Sequence, residues 1–169
     1  MKNLVLIGLS GCGKSSFGKR LARRLRMPLL DTDSLIVEAE GRCIPNIFSE
    51  RGEAFFRDLE TAACIAAASA NGAVIATGGG AILREANMEA LAQNGVIIFI
   101  DRAPSRILRS ARLDDRPLVE NDAEKLFRLY SERLPYYRRW AHAIVRSNGP
   151  RRDMKRCLLQ IIRRYREKS

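Results

Sequence analysis

Three short stretches of this chain have the residue types and spacing of phosphate chemistry. Gly8-Leu9-Ser10-Gly11-Cys12-Gly13-Lys14-Ser15 matches G-x-x-x-x-G-K-[ST]. Gly8, Gly11 and Gly13 admit turns that a Cβ would obstruct and let the backbone approach a phosphate closely. The loop N–H groups then form an anion nest, and the helix that follows adds its positive end. Lys14 has the reach for β- and γ-phosphates, and the Ser15 hydroxyl can ligate Mg²⁺. Gly11, Cys12, Gly13, Lys14, Ser15 and Ser16 are therefore the expected nucleotide contacts. Cys12 sits among helix-terminal N–H groups, which favour a thiolate, although an inert small residue is the simpler reading.

Asp31-Thr32-Asp33 and Gly78-Gly79-Gly80 each follow a short apolar run. In doubly wound sheets such strand ends face the ligand crevice. Alternate residues point different ways, so one aspartate could support Mg²⁺ while the other accepts a hydrogen bond from a substrate hydroxyl and acts as base. A helix cap at Asp33 beside a surface Asp31 is the plainer alternative. Three glycines permit close substrate approach. Asp101 also ends an apolar run, but Arg102-Ala103-Pro104 follows it with no switch glycine, so it reads as a strand-end residue. No Asn-Lys-x-Asp guanine-reading sequence occurs.

The elements that must position these groups alternate. Strands are expected at residues 4–7, 29–31, 73–77, 96–100 and 143–145. Helices are expected at 14–25, 34–40, 44–50, 53–70, 84–92, 105–111 and 123–140, the last kinked at Pro135. A further amphipathic helix carries Met154, Cys157, Leu158, Ile161, Ile162 and Tyr165 on one face. Residues 113–122 are polar, contain Pro117, and read as a mobile loop. Strands alternating with helices predict an α/β fold, a parallel sheet covered on both faces.

Composition bounds the rest. With 169 residues the chain suits a single domain. No apolar run approaches the ~18 residues of a membrane span. Thirty Lys and Arg against nineteen Asp and Glu give +11, which implies an anionic partner. Much of that charge lies in a late basic stretch, Arg151 to Lys168, where no aromatics interleave as base-stacking platforms would. A solvated helix face explains it better than nucleic acid. Cysteines are scattered and His142 stands alone, so no metal cluster is expected, and a cytoplasmic location with reduced thiols is.

In order and at the family's spacing, the glycine loop, Leu30-Asp31-Thr32-Asp33, Phe56-Arg57, Thr77-Gly78-Gly79-Gly80, Arg116-Pro117-Leu118 and Arg133-x-Pro135-Tyr136-Tyr137 resemble the shikimate kinases, over essentially the whole chain. The resemblance implies a three-layer α/β/α sandwich with a five-stranded parallel sheet in order 2-3-1-4-5. It implies one domain over 1–169, with a substrate-binding segment at about 32–60 and a mobile lid at about 111–123. The implied reaction moves the ATP γ-phosphate to the 3-hydroxyl of shikimate, toward chorismate and the aromatic amino acids, with Mg²⁺ as cofactor. Asp33 would be the base and hold the shikimate hydroxyls. Arg57 and Arg133 would hold its carboxylate, beside the backbone of Gly78, Gly79 and Gly80. Asp31 and Ser15 would serve Mg²⁺, Arg116 would close over the phosphates with Lys14, and Arg109 would pack on adenine. ATP and shikimate are the expected partners of a monomer, without nucleic acid or membrane. Arg57 could instead simply pair with Glu53 or Glu60 on its own helix. A gluconate kinase could share the loop, but the triple glycine and the Arg57/Arg133 pair favour shikimate. Cys12 stands where serine is common in the family, and the tail is more basic than the chemistry requires.

Overall fold

Asn3–Ile7 forms strand β1, buried along its whole length. Leu4 and Leu6 face one apolar layer, with Phe17, Leu21 and Ile98. Val5 and Ile7 face a second, with Ile75, Ile97 and Phe99. This is why the run reads as continuously apolar: a strand covered on both faces has no solvent side. In the computed structural model, which describes residues 1–113, 120–147, 159–161 and 163, β1 is the centre of a five-stranded sheet.

The other elements are α1 (Lys14–Leu25), β2 (Leu29–Asp31), α2 (Thr32–Glu40), α3 (Ile44–Ala68), β3 (Val74–Ala76), α4 (Glu85–Gln93), β4 (Gly95–Asp101), α5 (Pro104–Leu113), α6 (Glu120–Trp140) and β5 (Ala143–Arg146). The strand order is β2-β3-β1-β4-β5, and every pairing is parallel. Each strand therefore ends at the same edge, and the loops after β1, β2, β3 and β4 gather there. The α1 helix packs on one face, while the buried Cys64, Met88 and Tyr137 bring α3, α4 and α6 to the other. A third cluster, Ile36, Ile47, Phe56 and Ala63, joins α2 to α3 and closes the segment beyond β2.

The sequence expectations hold for order and type and shift at several ends. The helices expected at 44–50 and 53–70 are joined as α3, with a kink at Gly52 (φ 77°, ψ 175°), a backbone state glycine adopts at little cost. α2 starts at Thr32 because Asp31 caps it, accepting from the Asp33 N–H at 3.1 Å. The plainer alternative had assigned that cap to Asp33. α6 begins at Glu120, inside the stretch read as loop, since polar residues 120–122 carry no apolar periodicity to reveal a helix. It runs through Pro135 to Trp140. Arg116 and the middle of the expected lid, residues 114–119, lie outside the described residues, as does most of the late basic helix. Of that helix, Ile161 packs against the α1-side layer. No described helix is long and apolar enough to cross a membrane.

Candidate active site

The loop between β1 and α1 takes its shape from Gly8, Gly11 and Gly13, at φ 147°, 75° and 100°, all in the region where a Cβ is disfavoured. Gly13 is the residue before α1. Lys14 folds back over the loop, donating from Nζ to the carbonyls of Gly8 at 2.9 Å and Leu9 at 3.0 Å. Beside it lies a cavity of about 370 Å³ whose walls include Gly11, Gly13, Lys14, Ser15 and Ser16, together with Asp31, Asp33 and Gly79. The loop after β1 and the ends of β2 and β3 thus share one cleft.

Ser15 Oγ donates to Asp31 Oδ2 at 2.8 Å, and the other Asp31 oxygen caps α2. Asp33 is the second residue of that helix, half-buried. Burial pushes its carboxyl above the usual carboxylate range, and the charges of Asp31 and Glu60 add to the push, against the pull of Lys14 and Arg57. A raised carboxyl is a better proton acceptor than an ordinary one.

The triple glycine holds the second half of the cleft together by close approach. A Cβ on Gly78 would stand 2.7 Å from both Asp33 Oδ1 and Glu60 Oε1, and one on Gly79 would stand 2.6 Å from Ser10 Oγ. One on Gly80 would collide with the Arg57 guanidinium. Any side chain at these positions would displace a polar group of the site. The Gly78 N–H donates to Thr32 Oγ1 at 3.0 Å, so this amide is already used. The Gly79 carbonyl accepts from Arg133 Nη1 at 3.0 Å and from the buried Tyr137 hydroxyl at 2.7 Å. Tyr137 is stacked on Phe99 of β4, with ring centroids 4.9 Å apart.

Arg57 is fixed from its own helix. Nη1 donates to Glu60 at 2.7 Å, and Nε and Nη2 to Glu53 at 3.2 and 2.9 Å. Glu60 is only 1% exposed, so its charge depends on Arg57. The pairing that sequence offered as an alternative to a substrate role is therefore present, and it places the guanidinium against Gly80.

Most expected residues line this cleft or adjoin it, and the side chains of Cys12 and Arg109 do not. Cys12 is wholly buried in the α1-side layer, and its N–H donates to Leu9 O at 3.1 Å. Burial pushes its thiol up, against the opposing charges of Lys14 and Arg102; the inert reading is the one observed. Arg109 is on the exposed side of α5 and is not a wall of the cavity, whereas its neighbour Ser110 is. Arg116 lies outside the described residues. Sequence reasoning missed Ser10, Thr77, Arg102 and Ser110 as cavity walls, and Tyr137 as the partner of Gly79. Glu60 had a visible signal, its i,i+3 spacing from Arg57.

A glycine loop of the phosphate-binding pattern, an aspartate pair beside it and arginines grouped around a glycine bend, all at one edge of a 2-3-1-4-5 sheet, are the arrangement of a P-loop kinase acting on a small molecule. Known proteins agree. The family model described as shikimate kinase matches residues 10–164, and the chain belongs to the shikimate kinase family. A shikimate kinase of Clostridium botulinum (strain Alaska E43 / Type E3) is 41% identical over 150 residues, 88% of this chain and 90% of that one. A solved shikimate kinase from Acinetobacter baumannii, in complex with shikimate, superposes with a TM-score of 0.88 at 34% identity, covering 100% of this chain and 95% of that one. A gluconokinase from Sinorhizobium meliloti reaches 0.58 at 16% identity, covering 99% of this chain and 97% of that one, and shares the fold alone.

Proposed function

We propose that this kinase transfers the γ-phosphoryl group of ATP to the 3-hydroxyl of shikimate, a step toward chorismate and the aromatic amino acids. One observation carries the reading: the phosphate cradle, Asp31, Asp33 and Gly79 line one cavity, and the glycine bend to which Gly79 belongs adjoins Arg57 and Arg133. Shikimate is a small carboxylated polyol. Arg57 and Arg133 would take its carboxylate, which a guanidinium can bind with two parallel bonds. Asp33 would hold the hydroxyls and accept the proton of the attacking one, a role its raised pKa suits.

Ser15 and Asp31 fit a magnesium ion. Their oxygens are hard donors 2.8 Å apart on the cavity wall, and two protein ligands suffice when phosphates and water supply the rest. Bound with ATP, Mg²⁺ supplies charge neutralisation at the β- and γ-phosphates. Lys14 adds a cation once its Nζ exchanges the Gly8 and Leu9 carbonyls for phosphate oxygens. On sequence grounds Arg116, in a lid at about 111–123, would complete that charge and help exclude water, and Arg109 would pack on adenine. A working monomer is the corresponding reading, and the supply of ATP supports a cytoplasmic setting.

The test is ADP release measured with shikimate, gluconate or nucleoside monophosphates as acceptor. Turnover with shikimate alone is expected. Equal or faster turnover with another acceptor would overturn the assignment.

A further inference from the structure

We infer that Arg102 is a further nucleotide-binding residue, its guanidinium gripping the α- and β-phosphates from the β4 edge of the cradle. The inference rests on the nucleotide reading of the cavity and adds a cation which that reading does not use.

The backbone around Arg102 is held on both sides. Asp101 ends β4, its carboxylate accepting from Tyr130 Oη at 2.8 Å and its carbonyl from the Ser147 N–H at 2.7 Å. Pro104 opens α5 two residues later. From this short fixed bridge the Arg102 side chain becomes a wall of the phosphate cavity. Its Nη1 lies 4.0 Å from the point where a Cβ of Gly13 would stand, so it sits beside the residue that precedes Lys14. It is also close enough to Cys12 for its charge to be felt at that thiol.

Arg102 Nε is shielded from solvent and has no hydrogen-bond partner among the described residues. No carboxylate pairs with this guanidinium among the described residues, unlike Arg57, Arg84 and Arg139. A buried donor without an acceptor costs free energy. That shielded nitrogen anchors the side chain in the wall, and the Nη groups at its tip, which no described carboxylate pairs, are the donors that a ligand oxygen in the cavity would meet. Phosphate matches the fork of a guanidinium, and the backbone near Gly13 is the part of such loops that cradles the α- and β-phosphates. The acceptor's carboxylate has its own cations in Arg57 and Arg133, grouped around Gly79 and Gly80. Arg102 is thereby assigned to the nucleotide.

The test compares the full chain with Arg102→Met and Arg102→Lys, titrating Mg-ATP, Mg-ADP and shikimate separately by calorimetry, with thermal melts in the absence of ligand. Arg102→Met is expected to raise the Kd of ATP and ADP by the same factor, about tenfold for a lost charge-assisted contact. Arg102→Lys is expected to recover part of the loss. Shikimate affinity should be unchanged, and the melting temperature of the ligand-free protein should not fall, because the substitution removes an unpartnered buried donor. A merely structural arginine would lower that temperature and weaken both ligands. Nucleotide Kd values within twofold of wild type overturn the inference and leave the kinase assignment standing. A loss for ATP without one for ADP overturns the α/β placement. Failure of the wild-type chain to bind ATP overturns both the inference and the nucleotide reading beneath it.

Discussion

Gly80→Ala asks whether Arg57 must stand where it does. Gly80 has φ −100° and ψ −4°, a state open to alanine, so the backbone adds no penalty. The new methyl would lie 2.9 Å from both Cζ and Nη2 of Arg57, with Nη1 nearer still. Contacts of this kind settle near ~3.5 Å, so the guanidinium must retreat by about 0.6 Å or more. It has little freedom to do so. Nη1 is committed to Glu60 at 2.7 Å and Nη2 to Glu53 at 2.9 Å. Disturbing the buried Glu60 bond costs about 1.5–3 kcal/mol, whereas the exposed Glu53 bond contributes under about 1 kcal/mol. The lower stiffness of the unfolded Gly80 chain returns about 0.4–1 kcal/mol on going to alanine. A net loss of about 1–2 kcal/mol in unfolding free energy follows. Shikimate Kd, measured calorimetrically, is expected to rise about tenfold or more, since each decade corresponds to ~1.4 kcal/mol. ATP Kd should stay unchanged, because Gly80 is not a wall of the nucleotide cavity. A variant with wild-type stability and a shikimate Kd within twofold of wild type would refute both the close approach and the carboxylate role of Arg57.

Asp33→Asn is expected to lower kcat by about 10²–10⁴, the usual weight of a positioned base, while calorimetry still detects ATP binding; near-normal turnover removes Asp33 as base. In the wild type, the acid limb of the kcat profile should fall at a pH above the ordinary carboxylate range, because Asp33 must be ionised to accept a proton and its pKa is raised from 3.8. Between 3.8 and that raised value the folded protein holds more protons than the unfolded chain. This group's contribution to stability therefore rises as pH falls through the window. Asp33→Asn should flatten that trend and should not lower the melting temperature at neutral pH; a lowered one would contradict the crowding of charge around Asp33. Tyr137→Phe deletes one of two donors to the Gly79 carbonyl, so chemical denaturation should show a loss of about 1 kcal/mol; a wild-type unfolding curve would exclude the hydroxyl as a support. Peptide mapping after mild alkylation should find Cys43 modified and Cys12 untouched in the native protein, since Cys12 is buried and Cys43 exposed; rapid labelling of Cys12 would contradict the burial that raises its pKa.

The centre of the sheet was legible because β1, β3 and β4 are buried on both faces. Leu4 to Ile7 and Val96 to Ile100 are unbroken apolar runs, and neither needs tertiary information to be read as a covered parallel strand. The glycine loop was legible because its chemistry is local: the turn, the amides and Lys14 all lie within eight residues. Boundaries were less legible where caps decide them. Asp31 accepts from the N–H two residues ahead, so α2 starts two residues early, at Thr32, and nothing in the apolar pattern reports that bond. The break at Gly52, by contrast, was legible: the helices expected at 44–50 and 53–70 are the two segments that its non-helical backbone separates within α3.

What sequence could not settle was direction. Arg57 was posed as a surface pair for Glu53 or Glu60, or else as a ligand for substrate, and the structure makes the two compatible. Glu60 lies buried behind the guanidinium and Glu53 at its exposed side, and together they hold it against Gly80. A charge held from behind is better placed for a carboxylate than a freely rotating one, because less entropy is lost on binding. The same logic separates the arginines near β4. Arg109 and Arg102 are both basic residues close to one strand end, and spacing alone favours neither. Arg109 emerges on the exposed side of α5, whereas Arg102 is set into the cavity wall with no carboxylate partner among the described residues. In this fold the informative arginine is the one held at the cavity with its charge unpaired, since a guanidinium already paired, or fully solvated, gains less from a phosphate.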